Sequence, residues 1–229
     1  MDAGVIKKEP LGKGFFINVS AHHTFGTDAV ILADFARAKK SDTLADLGTG
    51  CGIIPFLMLR DGNLKSAEGV DISEEAAALA KRTSSELKTD NFTVINSDLN
   101  DLKGKIGFGC HTLVTCNPPY MECGKGFTNS SGNLSVSRHE IKCTLDDVIR
   151  ISSQLLTPKG RFFMVHRPSR LADILCTMRR YKIEPKRLRL IHPSYGKAAN
   201  LLLIEGLSNG GRELKMLPPL YVYNTDGTY

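Results

Sequence analysis

The stretch Thr43-Leu44-Ala45-Asp46-Leu47-Gly48-Thr49-Gly50-Cys51-Gly52-Ile53 decides the fold. A short apolar run ends in an acid, glycines follow at alternate positions, and an apolar segment with Pro55 in its first turn takes over. Glycine accepts the positive φ that a tight reversal needs, and a first helical turn tolerates proline because its missing N–H has no intrahelical partner there. The pattern predicts a strand, a turn whose backbone approaches a ligand, and a helix beginning near Ile53 that directs unpaired N–H groups at that ligand.

Outward from this turn, strand-like runs recur at Thr43–Leu47, Ala67–Ile72, Phe92–Asn96, Thr112–Cys116, Arg161–His166, Arg187–Ile191 and Asn200–Glu205. Helical patterns separate them at Glu74–Lys88, at Thr144–Leu156, where Asp147 completes a capping arrangement with Thr144, and at Ser169–Tyr181. Strands alternating with helices predict an α/β fold, a doubly wound, seven-stranded, mostly parallel sheet of Rossmann-like type. The last two strands are joined by a short loop holding Pro193, Gly196 and Lys197, too short for a crossover helix, so they should pair antiparallel. Upstream, Thr27 is placed to cap a helix running to about Lys39, while Phe15–Gly26 matches no element. The expectation is one domain over 1–229, with 1–40 as N-terminal extension and first helix. Within it, 121–142 is a Gly/Ser/Asn-rich loop of a length that is usually functional or disordered, taken here as the substrate loop.

A chain of 229 residues with 41% hydrophobic content can bury one sizeable core. The longest apolar run, Ile53 to Leu59, is too short to span a bilayer, and MDAGVIKKEP has no signal-peptide core, so a soluble, cytoplasmic protein with no membrane contact is expected. Six irregularly spaced cysteines fit a reducing compartment, and Cys110, Cys116 and Cys123 match no usual zinc spacing, so no metal is expected. A net charge of +6 favours a polyanionic partner. Positive residues concentrate at Arg179, Arg180, Lys182, Lys186, Arg187 and Arg189, with Arg167, Arg170 and Lys197 in addition, and a merely solvated face is the competing reading.

Asp46 narrows the ligand. The sixth position of a dinucleotide GxGxxG pattern is Ile53 here, and a carboxylate ahead of the glycines sits poorly beside a pyrophosphate but well beside an ammonium. S-adenosylmethionine carries an amino acid and a sulfonium and no phosphate. The cofactor-binding set read from the chain is Gly48, Gly50 and Gly52 with Asp46, then Asp71 for ribose hydroxyls with Ile72, and Asp98 for the adenine amino group with Leu99. A plain glycine-rich turn, and Asp71 as an acid at a helix start capped by Ser73, are the structural alternatives.

After the fourth strand come Asn117, Pro118, Pro119 and Tyr120. An amine conjugated to a ring or carbonyl is a poor nucleophile. Acceptors at the Asn117 side-chain oxygen and the Pro118 carbonyl would hold its two N–H groups and aim its lone pair. The prolines fix φ and remove competing donors, and Tyr120 would stack on a flat substrate. Asn-Pro-Pro as a simple turn is the bland alternative, and Cys116 as a thiolate nucleophile is less favoured than a buried core cysteine.

Together these residues resemble the class I S-adenosylmethionine-dependent methyltransferases over about Thr43 to Leu207, with NPPY marking the amino-methylating branch. The whole chain is similar to the bacterial tRNA1(Val) adenine-N6-methyltransferase family, through Phe25–Ala33, Asp46–Pro55, the NPPY, Arg138-His139-Glu140 and the ending Leu217–Tyr223 with Asp226–Tyr229. The resemblance implies N6-methylation of adenine 37 in tRNA by direct transfer, with Asp46, Gly48, Asp71 and Asp98 on the cofactor and Asn117 to Tyr120 on the base. It also implies that Thr27 and Asp28 help close the cofactor pocket, beside Thr27 as a plain cap. Arg138 and His139 are read as RNA contacts, with a loop-anchoring ion pair as their rival, and a monomer is assumed. Methylation of ribosomal RNA stays open. So does methylation of a protein glutamine, although those enzymes add a helical domain before a first strand that here begins at Thr43. A non-catalytic RNA-binding protein is the reading from another class.

Overall fold

Alternate residues of the central strands enter two different cores. Leu44, Phe163, Val165 and Leu203 pack on one face of the sheet, while Ala45, Phe162, Met164, Leu202 and Ile204 pack on the other. That two-sided burial is what a doubly wound sheet requires and explains why its strands read as near-continuous apolar runs. The computed structural model describes residues 5–118 and 143–223. Its elements are β1 (Lys7–Gly12), β2 (Phe15–Val19), α1 (Thr27–Ala36), β3 (Thr43–Leu47), α2 (Ile53–Arg60), β4 (Ser66–Asp71), α3 (Glu74–Leu87), β5 (Phe92–Asn96) and β6 (His111–Cys116). There follow α4 (Leu145–Leu155), β7 (Leu156–His166), α5 (Leu171–Arg180), β8 (Ile183–His192), β9 (Leu201–Ser208), β10 (Lys215–Met216) and β11 (Leu220–Tyr221).

The main sheet has the order β10-β8-β9-β7-β6-β3-β4-β5, and β11 also pairs with β8. β3 to β7 run parallel. β9 is antiparallel to both β7 and β8, so the expected antiparallel pairing of the last two long strands is found. The sheet has nine strands among the described residues rather than the expected seven. The added β10 and β11 are two residues each and flank Pro218 and Pro219, which have no N–H to give a ladder, so they leave no periodic signal.

Two further expectations change. Phe15–Gly26 is not unstructured throughout: β2 forms a hairpin with β1 through Gly12, Lys13 and Gly14, all at positive φ. Pro10 and a register shift hide β1 from a strand search. Buried Asn18 docks this hairpin on α3, its backbone N–H donating to Thr83 Oγ1 at 2.9 Å and its side chain to Glu86 at 3.1 Å. Thr27 is not the cap of α1. Gly26 holds that position without a side-chain bond, and Thr27 is the first helical residue. The helix stops at Ala36, because Arg37 turns left-handed at φ 44° and the sheet supplies the missing cations. Arg161 donates to the Ala36 carbonyl at 3.2 Å and Arg187 to the Phe35 carbonyl at 3.5 Å. α4 begins as read, with Thr144 and Asp147 forming a reciprocal capping box worth about 1 kcal/mol. Among the described residues, no helix is long and apolar enough to cross a membrane.

Candidate active site

A parallel sheet gathers the carboxyl ends of its strands at one edge. Here Asp46 lies level with Thr115, Leu47 with both Val70 and Cys116, and Asp71 with Asn96, so β3, β4, β5 and β6 deliver their last residues side by side. The turn after β3 has φ +70°, +57° and +91° at Gly48, Gly50 and Gly52. It is stitched to β4: the N–H groups of Gly48 and Thr49 both donate to the Val70 carbonyl at 2.9 Å, and that of Gly50 to Asp71 Oδ2 at 2.7 Å. A Cβ on Gly52 would come within 2.9 Å of Phe56, whereas one on Gly48 or Gly50 would meet no atom within 4 Å. Gly52 therefore packs, and Gly48 and Gly50 leave an open backbone cradle.

Asp46 is the most perturbed acid at this edge. Its burial pushes the carboxyl up to about 7, against the opposing hydrogen bond that Thr115 Oγ1 donates to Oδ1 at 2.6 Å. The nearby Thr49 hydroxyl also opposes the rise, yet Asp46 Oδ2 and Thr49 Oγ1 are both buried with no hydrogen-bond partner among the described residues. An unpaired carboxylate oxygen beside an open backbone cradle suits a ligand with an ammonium and no phosphate. Thr115 and Thr49 were not singled out from the sequence. Their one signal is position, two residues before Asn117 and inside the glycine turn.

Asp71, expected on ribose, also braces the turn: Oδ2 accepts from Gly50, and Oδ1 from the Ser73 N–H at 2.9 Å. A carboxylate has about four acceptor sites, so both roles fit, and Ser73 does cap α3. Ile72 stands 47% exposed beside it, an apolar surface at the polar edge suited to a flat base. Asp98 caps a single 3-10 turn over Leu99–Asp101, accepting from the Asn100 N–H at 2.8 Å.

Asn117 follows β6 directly, and its Nδ2 donates to Asp28 Oδ2 at 3.2 Å. A carboxylate only accepts, so this contact turns the Asn117 NH2 toward α1 and its amide oxygen the other way. Asp28 is thus brought to the NPPY segment, while exposed Thr27 makes no cap bond. Pro118 is described. Pro119, Tyr120, Arg138, His139 and the loop 121–142 lie outside the described residues.

Burial raises the thiols nearby: Cys116 well above the ordinary range, Cys51 to about 11 and Cys143 to about 12. They stand neutral, which removes Cys116 as a nucleophile. No group of His, Cys, Asp or Glu among the described residues is arranged to hold a metal ion.

The basic residues are not brought together at this edge. Arg179 pairs with Glu184 at 2.8 Å and Arg180 with Asp146 at 2.8 Å, where α5 gives way to the amino end of β8. Lys186 donates to the Gly211 carbonyl at 3.2 Å. Arg187 is ion-paired to Glu205 and lies 4.9 Å over the Phe35 ring, which makes it a packing residue of the sheet and α1. Arg189 and Lys197 differ. Arg189 Nε is buried with no partner among the described residues, and its side chain lines a recess of about 230 Å³ with Asp34, Arg37, Arg187 and Lys215. Lys197 is exposed in the loop after β8, at the carboxyl edge.

Residues 18–175 match the family model of the methyltransferase small domain. The chain belongs to that family. A tRNA1(Val) (adenine(37)-N6)-methyltransferase of Porphyromonas gingivalis is 26% identical to this methyltransferase over 187 residues, covering 79% of this chain and 72% of the relative. A structure described as a predicted O-methyltransferase from Agrobacterium tumefaciens shares the fold with a TM-score of 0.70 at 21% identity, covering 86% and 88% of the two chains. A geranyl diphosphate C-methyltransferase from Streptomyces coelicolor, solved with S-adenosyl-L-homocysteine, shares it with a TM-score of 0.60 at 17% identity and 80% coverage of each. The Asp46 oxygen, the Gly48–Gly50 backbone, Asp71 with Ile72, and Asp98 are the groups at this edge that would hold S-adenosylmethionine.

Proposed function

We propose that this methyltransferase methylates the exocyclic N6 of an adenine in tRNA, at the place that adenine 37 occupies in tRNA1(Val). The observation that carries the reading is Asn117, seated at the end of β6 beside the Asp46 turn with its amide oriented by Asp28. Adenine N6 is flat because its lone pair is delocalised into the ring. With one N–H donated to the Asn117 amide oxygen and the other to the Pro118 carbonyl, the nitrogen is drawn toward a tetrahedral geometry and its lone pair is directed out of the ring plane. S-adenosylmethionine supplies a methyl group already activated by its sulfonium. The nitrogen then sheds a proton to solvent, so no protein base is needed in the transfer. Tyr120 stacks on the extruded base and offsets part of the cost of unstacking it from the anticodon loop.

The substrate class is supported by the name of the Porphyromonas gingivalis relative and by the net charge of +6. Phosphate contact falls to Arg189 and Lys197 rather than to the ion-paired Arg179, Arg180 and Arg187. Nucleoside mass spectrometry of tRNA and rRNA from a strain lacking the gene tests the reading. Loss of N6-methyladenosine from tRNA is expected, and loss from rRNA alone overturns it.

Asp28 is a positioning residue in this scheme. Asp28→Ala is expected to lower kcat by about ten- to a hundredfold with little change in cofactor affinity, because the Asn117 amide loses its orientation. Asp28→Asn still offers an amide oxygen to the Asn117 NH2 and should recover part of the rate. Equal losses in the two variants would show that the orientation is not what matters.

A further inference from the structure

Three aromatic rings crowd the carboxyl end of β8. His192 and Tyr221 lie 5.4 Å apart, centroid to centroid, and Tyr221 and Tyr195 lie 5.9 Å apart, at interplanar angles of 43° and 53°. Aromatic side chains at such a spacing usually bury their faces in a core. Here Tyr195 is 75% exposed and Tyr221 41%.

The cluster is also held in place. The backbone N–H groups of Val222 and Tyr223 donate to the carbonyls of His192 and Pro193 at 3.0 and 2.9 Å, which pins the β11 strip to the end of β8. The loop carrying Tyr195 is closed by Lys197 N–H to the Ser194 carbonyl at 3.2 Å and by Asn200 N–H to the Ile191 carbonyl at 3.0 Å. Within that loop, His192 Nδ1 meets the Lys197 carbonyl at 2.7 Å, an acceptor that fixes the proton on Nδ1 and the plane of the ring. Lys197, in the same loop, is exposed.

β8 is three strand positions from β6, through β9 and β7. The register sets Asn117 level with Arg189, so His192 lies three residues farther along its strand; at about 4.8 Å per strand and about 3.3 Å per residue the platform is roughly 17 Å from Asn117. That span corresponds to about five stacked nucleotides of one strand. We propose that His192, Tyr195 and Tyr221 form a stacking platform for a base of the single-stranded RNA flanking the target adenine, with Lys197 on the adjoining phosphate. Exposed rings on a loop that also carries an exposed lysine suit a base and its phosphate, and any base has a face to stack. The site would therefore add affinity and register with little choice of base. The inference rests on the RNA reading above.

The test is methyl transfer to unmodified tRNA by the full chain, compared with Tyr195→Ala, Tyr221→Ala and Tyr195→Phe. Both rings are exposed, so the alanine variants should fold and bind S-adenosylmethionine as the parent does. The expected result is a rise in KM for tRNA of about tenfold in each alanine variant with kcat nearly constant, and a parental KM in Tyr195→Phe. In parallel, an eleven-nucleotide single-stranded RNA with 2-aminopurine five positions from a central adenine should be quenched on binding the parent and not the double alanine variant. Parental KM and quenching in the alanine variants, with tRNA still methylated, would overturn the platform and leave the RNA reading intact. Failure of the parent to methylate any RNA would overturn both.

Discussion

Asn117→Ala is expected to lower kcat by about a hundred- to a thousandfold while S-adenosylmethionine binds as before. In the proposed reaction the amide oxygen is one of two acceptors that hold the amine, and it gains most as positive charge develops on the nitrogen. Removing one preorganised partner of a developing charge costs about that much. Ground-state binding of the base should change far less, because stacking is untouched, so KM stays within a few-fold. The cofactor contacts assigned to Asp46, the glycine turn and Asp71 lie on other strands. Asn117→Asp is a useful companion, since it keeps an acceptor but places a second carboxylate against Asp28 at the 3.2 Å contact. Single-turnover transfer with saturating cofactor separates chemistry from release, and a rate within tenfold of the parent would sink the role given to Asn117.

Asp46→Asn is expected to weaken S-adenosylmethionine by about ten- to a hundredfold, the worth of a buried hydrogen bond to a charged group. Its pH behaviour is the sharper test. In the free protein burial raises the carboxyl from 3.8 to about 7, so between these values the folded chain holds a proton that the unfolded chain has released. The contribution of this group to stability is therefore fully present below about pH 3.8, falls as pH rises, and is lost above about 7. Urea unfolding of the parent should show this downward slope relative to Asp46→Asn, which carries no charge to bury. An ammonium placed on Oδ2 reverses the preference and favours the carboxylate. Cofactor binding near pH 6 should then release about one proton, visible as a binding enthalpy that depends on the ionisation enthalpy of the buffer. Buffer-independent enthalpy in the parent, or the same release in Asp46→Asn, would count against Asp46 as the ammonium partner.

Most of this edge was legible from residues alone because its chemistry is local. Glycines at alternate positions after an apolar run impose one backbone course, and they carry the same positive φ in the structure. Asp71 and Asp98 were found by their place after strands, since parallel strands must end at a common edge. Arg187 was misjudged for the opposite reason. In sequence it belongs to a basic run, and only the folded chain sets it against Glu205 on the neighbouring strand and over Phe35 on α1. Ion pairs across strands depend on register and not on sequence distance.

By itself the sequence determined the alternation of strand and helix, the glycine turn, the acids at the strand ends and the amine-holding motif, all of them set by short-range backbone and periodicity rules. Only the tertiary structure decided the rest. It paired β1 with β2 despite Pro10, and it added β10 and β11 around two prolines. It turned the Asn117 amide onto Asp28, 89 residues away in the chain. It also buried one Asp46 oxygen without a partner while Thr115 took the other. Those contacts join segments far apart in the chain, and their strength comes from exclusion of water, which no local run of residues can express.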